Sequence, residues 1–272
     1  MLTIRHTTVY RYEPKADRVG LRLKLYPINT RAQTVGDWAV TVNGAAVAPL
    51  VTNPFEEGEA LWFAQGPSDE IEIVASGHVS LSDTAGVLGK IGMARPGVFL
   101  RDTGLTEPDD AIRELGAGME GDGDLARMHC LNEAIHDRIA YRPGATEATT
   151  TAAQALALGA GVCQDLAHVF IATARAAGLP ARYVAGYLHD AEAPELATHA
   201  WAEVFLDGLG WTAFDPTHKT CPSTSHVRLC SGADAADAAP IRGHVTGEIE
   251  ETLESTVDIA ASQSQSQSQS QQ

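Results

Sequence analysis

From Leu2 to Tyr10 apolar and polar positions alternate, with Leu2, Ile4, His6, Thr8 and Tyr10 on one side, and Leu21, Leu23 and Leu25 repeat the period in LRLKLYP. A period of two lines up side chains on one face of a β-strand. WAVTV (38–42), ALWFA (60–64) and IEIVASGHVSL (71–81) carry the same pattern, so residues 1–85 read as a β-rich unit.

A connector containing Gly and Pro (86–105) follows, and then the period changes. TEPDDAIREL offers Thr106 as a helix N-cap with Pro108 near the first turn. Between 124 and 139, Leu125, Met128, Ala134, Ile135 and Ile139 recur at helical intervals, which makes His129 and Cys130 parts of a packed helix. A third helix, TTAAQALALG, ends at Gly159. A fourth starts at Cys163, with Leu166, Val169, Phe170, Thr173, Ala174 and Ala177 on one face, and stops at Gly178 ahead of Pro180. ARYVAGYL (181–188), HAWAEVFL (199–206) and GWTAF (210–214) return to strand character, residues 233–240 read as loop, and GEIEETLESTVDIA reads as a last strand. Residues 106–260 therefore form an α+β core that ends in that strand. The Ser/Gln repeat over 261–272 has nothing to bury and reads as a disordered tail.

Composition narrows the partners more than the chemistry. The 272 residues, 44% hydrophobic and 20% charged, suit one large globular domain or two smaller ones. A net charge of −16 repels phosphate backbones and anionic lipid, so neither nucleic acid nor a membrane surface is expected as a partner. No stretch reaches the roughly 18 apolar residues of a membrane span, and MLTIRHTTVYRYEP lacks the apolar core of a signal peptide. The expectation is a cytoplasmic protein whose Cys130, Cys163, Cys221 and Cys230, none in a CxxC pair, are reduced thiols. Acidic residues show no EF-hand spacing, and no cofactor or metal is expected. Oligomeric state leaves no mark in the sequence.

The chemistry concentrates in GVCQDLAHVF, residues 161–170. A thiol at a helix N-terminus faces unpaired N–H groups and the positive end of the helix dipole, which favour thiolate and can later hold an oxyanion. Cys163 has that place; the alternative is a small buried hydrophobe. His168 is a poor base for it, because five helical residues rotate it about 140° away. It reads as a core or supporting histidine. HAWAEVF puts His199, Trp201, Glu203 and Phe205 on one strand face, and a turn at DGLG brings 199 and 215 opposite each other to within a residue or two. Asp215 would then fix the tautomer of His199 and stabilise its imidazolium, although an Asp before Pro216 also suits a simple turn.

GVCQDLAHVF, GLPARYVAGYL, THAWAEVFLDGLGW and FDPTH, in this order, resemble the bacterial transglutaminase-like superfamily over residues 125–220, and the first 85 residues resemble the N-terminal region that accompanies this core. The resemblance implies a papain-like α+β fold preceded by a small β-rich domain, with Cys163, His199 and Asp215 as a catalytic triad. Gln164, Asp165 and Trp201 stand beside the triad in these motifs and are candidates for contacts with substrate, with the oxyanion or with the triad itself. Two positions depart from the family pattern: His218 stands where Asn is common, and SGADA (231–235) replaces Gly-Arg-Asp-Tyr.

The implied activity is a cysteine-dependent acyl transfer on a peptide or protein amide, either hydrolysis, as a peptidase or amidase, or transfer to an amine, as a transglutaminase. A non-catalytic peptide-binding module on the same fold is the alternative from another class. A metal site made of Cys163, His168 and His199 is a third reading, although their spacing fits no standard zinc pattern.

Overall fold

The computed structural model describes residues 1–190 and 198–261. The N-terminal strands are β1 (Leu2–Ala16), β2 (Arg18–Tyr26), β3 (Gln33–Val42), β4 (Ala45–Ala46), β5 (Val51–Thr52), β6 (Gly58–Phe63) and β7 (Ser68–Leu81). Then come β8 (Val87–Gly89), a 3₁₀ turn at Pro96–Leu100, α1 (Asp110–Ala117), α2 (Asp124–Arg138), β9 (Ala140–Tyr141), α3 (Ala152–Leu158), β10 (Ala160–Gly161) and α4 (Cys163–Ala176). The chain closes with β11 (Ala181–Leu188), β12 (Thr198–Leu206), β13 (Gly210–Phe214), β14 (His226–Gly232), β15 (Ile241–Thr246) and β16 (Glu250–Ala261).

Alternation in the first strands works as expected. Leu2, Ile4, His6, Thr8 and Tyr10 of β1 point inward, and so do Leu21, Leu23 and Leu25 of β2. Two sheets, in the orders β16-β1-β7-β3-β4 and β15-β2-β6-β5, bury these residues in one core. Tyr187, Val227 and Leu229 from the later strands join the same cluster, so the N-terminal unit and the α+β core share apolar contacts.

The last strand was expected to close the α+β core, yet β16 pairs with β1 from Leu2↔Ala261 to Glu13↔Glu250, and β15 pairs with β2. Order along the chain does not fix the partner of a strand, because an unfilled sheet edge accepts any segment of matching register. The Ser/Gln tail lies outside the described residues.

The core sheet has the order β14-β11-β12-β13-β8. Its edge strand β8 comes from the segment read as a connector, pairing Gly89 with Trp211 and Val87 with Thr212. Three residues are too few for a period to show. Ala200, Ala202 and Val204 of β12 pack with α4, and every residue of that helix from Asp165 to Arg175 is buried. One apolar face was expected. Instead the helix runs through the middle of the core, with α1, α2 and α3 around it, and its polar Asp165, His168, Thr173 and Arg175 are buried along with its apolar residues.

Two local expectations fail. Helix α1 is capped by Asp109, whose carboxylate accepts the Ile112 N–H at 2.9 Å, whereas Thr106 is buried and its hydroxyl accepts from Arg175 at 2.8 Å. Both Thr and Asp cap helices, and capping at Asp109 turns Ile112 and Leu115 into the core. Leu125, read as a core position, is 41% exposed in the first turn of α2.

Candidate active site

Several local devices fix where Cys163 begins its helix. Thr151 and Gln154 cap α3 reciprocally, and the helix ends at Gly159 in the left-handed region (φ 63°), where a side chain would be strained. Ala160 and Gly161 then form a short parallel pairing with Ala140 and Tyr141. Asp165 completes the turn: its Oδ2 accepts from the Val162 N–H at 2.8 Å and from the Thr146 hydroxyl at 2.6 Å. A Cβ on Gly161 would lie 2.7 Å from the Asp165 Cβ, so the approach needs glycine there. Asp165→Ala is expected to cost about 1 kcal/mol in chemical denaturation, as loss of a helix cap does, and to reduce activity further by freeing the Cys163 turn. Unchanged stability and activity would remove Asp165 from this role.

The hairpin supplies the other two residues. β12 and β13 pair Ala202 with Phe214 and Leu206 with Gly210. Continued by one step, this register sets Asp215 beside Trp201 and diagonally next to His199 on the same face. Backbone pairing between Asp215 and Thr220 holds the carboxylate at the end of the strand. His199 Nε2 donates to Asp215 Oδ2 at 2.8 Å, and the Cys163 side chain is close enough to act on the charge of the same ring. Burial alone would lower the pKa of His199. The hydrogen bond to Asp215 and the charges of Asp215 and Cys163 outweigh it and raise the value to about 9.

Asp215 holds more than the expected histidine. His218 Nδ1 and His226 Nε2 also donate to Oδ2, at 2.7 and 3.0 Å, and the Thr217 N–H donates to Oδ1 at 2.9 Å. Burial would push this fully buried carboxyl up; the hydrogen bonds from His199, His218 and His226 hold it well below the usual carboxylate range. Burial lowers the pKa of His226 despite its bond to Asp215, and its Nδ1 bonds to the Ser225 hydroxyl at 3.1 Å. In the sequence His218 stands out only as a departure from the family pattern, and no motif marks His226. Nothing local links His226 to Asp215, since β14 reaches the site through its pairing with β11.

The other candidates separate. Trp201 is buried behind the site, its ring edge-on to His226 at 5.5 Å. The Gln164 amide donates to the Ala148 carbonyl at 3.2 Å. His168 is fully buried and far lowered, to about 4, by that burial, and its Nε2 accepts from the Ala235 N–H. That neighbour lies in SGADA, whose Ser231 hydroxyl donates at 2.6 Å to Glu57 of the N-terminal unit. SGADA thus joins parts of the fold.

Among the described residues the donor set suited to a metal is His199, Asp215, His218 and His226, with ligand atoms within 4.8 Å of one another; Cys163 and His168 are outside it. A cavity of about 230 Å³ opens beside the site, lined by Tyr141, Leu188, Thr198, His199, Thr217 and His218.

Residues 113–216 match the model of the transglutaminase-like superfamily, and residues 2–80 match that of the bacterial transglutaminase-like N-terminal region. The chain belongs to the transglutaminase-like superfamily. Its fold is the papain-like α+β core of that superfamily preceded by a β-rich region. A crystal structure from Cytophaga hutchinsonii, described as a candidate cysteine protease, superposes with a TM-score of 0.75 at 22% identity, covering 95% of this chain and 89% of that one. Among curated proteins, an uncharacterized Mycobacterium leprae protein is 34% identical over 148 residues, and a Mycobacterium tuberculosis one is 32% identical over 175. The chain spans about half the length of these relatives, 52% and 56%. A Pseudomonas aeruginosa protein-glutamine gamma-glutamyltransferase is 33% identical over 149 residues, which are 45% of this chain and 22% of that protein.

Proposed function

We propose that this chain is a cysteine-dependent acyl-transfer enzyme acting on peptide or protein amides, with Cys163 as nucleophile, His199 as acid and base, and Asp215 as the residue that orients His199. The carrying observation is a buried His199 bonded to a carboxylate fixed by three imidazoles, with Cys163 acting on the charge of the same ring. The sulfur attacks the amide carbonyl, its electrons move onto the carbonyl oxygen, and the Cys163 N–H at the start of α4 faces that oxyanion. Collapse forms a thioester on Cys163 while the imidazolium of His199 gives its proton to the departing amine. Water, activated by His199, then releases the acid and the thiol.

Hydrolysis is the favoured outcome, and amine transfer is the second reading, supported by the likeness to the Pseudomonas gamma-glutamyltransferase. Incubation with a peptide library, with and without a primary amine, tests both. Free acid in equal yield under both conditions supports hydrolysis; amine incorporation supports transfer; no turnover of any peptide counts against catalysis. Asp215→Asn should lower the rate by roughly 10²- to 10⁴-fold, less than loss of the nucleophile. Chelator treatment should leave the rate unchanged, because no step in this chemistry passes through a metal.

The pH dependence follows from His199. Its folded pKa of about 9 lies above the ordinary 6.5, so the imidazolium survives neutral pH and is lost as pH rises through about 9. Acylation should fall along that alkaline limb. Stability contributed by the same proton is complete below about 6.5 and disappears across the same interval. A flat acylation rate to well above pH 9 would contradict the assignment.

A further inference from the structure

The outer face of the β15-β2-β6 sheet presents charge of the sign opposite to the molecule as a whole. Side-chain alternation points Val19, Leu21 and Leu23 of β2 into the core and leaves Arg18, Gly20 and Arg22 outside. Register sets Arg22 between Arg242 of β15 and Leu61 of β6, and Gly20 between His244 and Phe63. Two arginines directly opposite each other repel across a strand pair, and their placement needs an anionic partner to become favourable.

The protein supplies little of that partner. Among the described residues neither Arg18 nor Arg242 has an ion pair, whereas the Arg22 guanidinium donates to the Asp237 carbonyl at 3.1 Å and meets the Glu59 carboxylate at 3.9 Å, with a quarter of its side chain left exposed. The Arg22 Nε is buried with no acceptor. Phe63, 63% exposed, and Leu61, 52% exposed, lie next to the cations, and Gly20 has the Phe63 ring against it, 3.1 Å from where a Cβ would stand. These residues line a groove of about 1100 Å³.

We propose that this groove binds an extended acidic peptide segment with carboxylates four positions apart and an apolar residue midway between them, Glu-x-Phe-x-Glu in form. The spacing follows from the strand. Arg22 and Arg18 are four residues apart, about 13 Å at the rise of an extended chain, which is also the span between carboxylates at i and i+4 of an extended ligand. The residue at i+2 then falls over Gly20, against the open face of Phe63, where an aromatic or aliphatic side chain buries area. A nucleic acid strand is the less suited anion, since its continuous charge also meets the field of a chain with net charge −16. The site stands on this sheet face and makes no use of the chemistry at Cys163.

The test is fluorescence anisotropy of a labelled Glu-Ala-Phe-Ala-Glu peptide titrated with the full chain at low salt. Saturable binding is expected that weakens with added salt. Arg18→Glu should weaken it roughly fivefold and the Arg18→Glu/Arg242→Glu pair roughly thirtyfold, the scale of exposed charge pairs acting in concert. Both arginines are exposed, so thermal unfolding of the variants should match wild type. A peptide with Lys for Glu should not bind, and one with Ala for Phe should bind more weakly. Absence of saturable binding, or a double variant that binds within twofold of wild type, would overturn the proposal. Tighter binding of a single-stranded oligonucleotide that is lost in the same double variant would overturn it in favour of nucleic acid. None of these outcomes bears on turnover at Cys163, which the peptide-library assay reads separately.

Discussion

Cys163→Ala is expected to lower turnover by roughly 10⁴- to 10⁶-fold, the scale seen when a covalent nucleophile is removed from a group of residues that act together. The chain keeps its stability, because the position is only partly buried and alanine suits the start of α4 at least as well as cysteine. The turn that presents the residue is built from Asp165, Thr146 and the β9-β10 pairing, and none of these contacts uses the sulfur. Activity and unfolding therefore separate in this variant. A peptide-cleavage assay beside a denaturation curve reads both, and residual activity near wild type would move the chemistry to other residues.

The largest effect on stability is expected from Arg228→Ala. Its guanidinium donates to Glu203 at 2.9 Å and pairs with Glu57 at 2.8 Å, and Glu203 also accepts from Arg182 at 2.6 Å. All four side chains are buried, two positive and two negative. Burial would push the Glu203 carboxyl up, but the charges of Arg182 and Arg228 hold it below its ordinary value. Removing Arg228 leaves Glu57 without its cation in a dry interior, where an uncompensated charge costs about 3–5 kcal/mol. For a chain of this length that lowers the Tm by on the order of 10 °C. Adding Glu57→Gln to Arg228→Ala should restore part of the loss, because the stranded charge goes with it. A Tm within a degree or two of wild type would show that the network contributes little. Glu203 follows His199 and Trp201 on the same face of β12, so disorder spreading from the network also reaches the site.

How much of this was legible in the sequence depends on the range over which each residue acts. Cys163 announces itself by a glycine turn and a helix start, and His199 and Asp215 by one hairpin, all signals confined to a few residues. The period of β1 and β2 is equally local. His226 reaches Asp215 only because β14 lies beside β11, and Glu57 crosses from an N-terminal loop to Arg228. β16 likewise returns to β1 across almost the whole chain. Such pairings are set by which edge is free and which charge is unmet in the folded protein, so no short window of sequence holds them. The fully buried α4 belongs to the same class: its apolar residues were visible, but the layers that cover its other sides come from three separate helices and a sheet.

Selective alkylation tests the central claim most directly. The claim is that His199, held as an imidazolium by Asp215, makes Cys163 the reactive sulfur. Burial pushes the Cys221 thiol up to about 11 and raises that of Cys230 as well, while Cys130 lies within α2 away from any helix start. A thiol paired with an imidazole at a helix N-terminus reacts at mildly acidic pH, where ordinary thiols, titrating near about 8.5, do not. Brief iodoacetamide treatment at about pH 6, followed by peptide mapping, should modify Cys163 ahead of the other three, with activity lost in proportion, and His199→Ala should slow that labelling markedly. Earlier labelling of Cys130, Cys221 or Cys230, or a Cys163 rate unchanged in His199→Ala, would contradict the account.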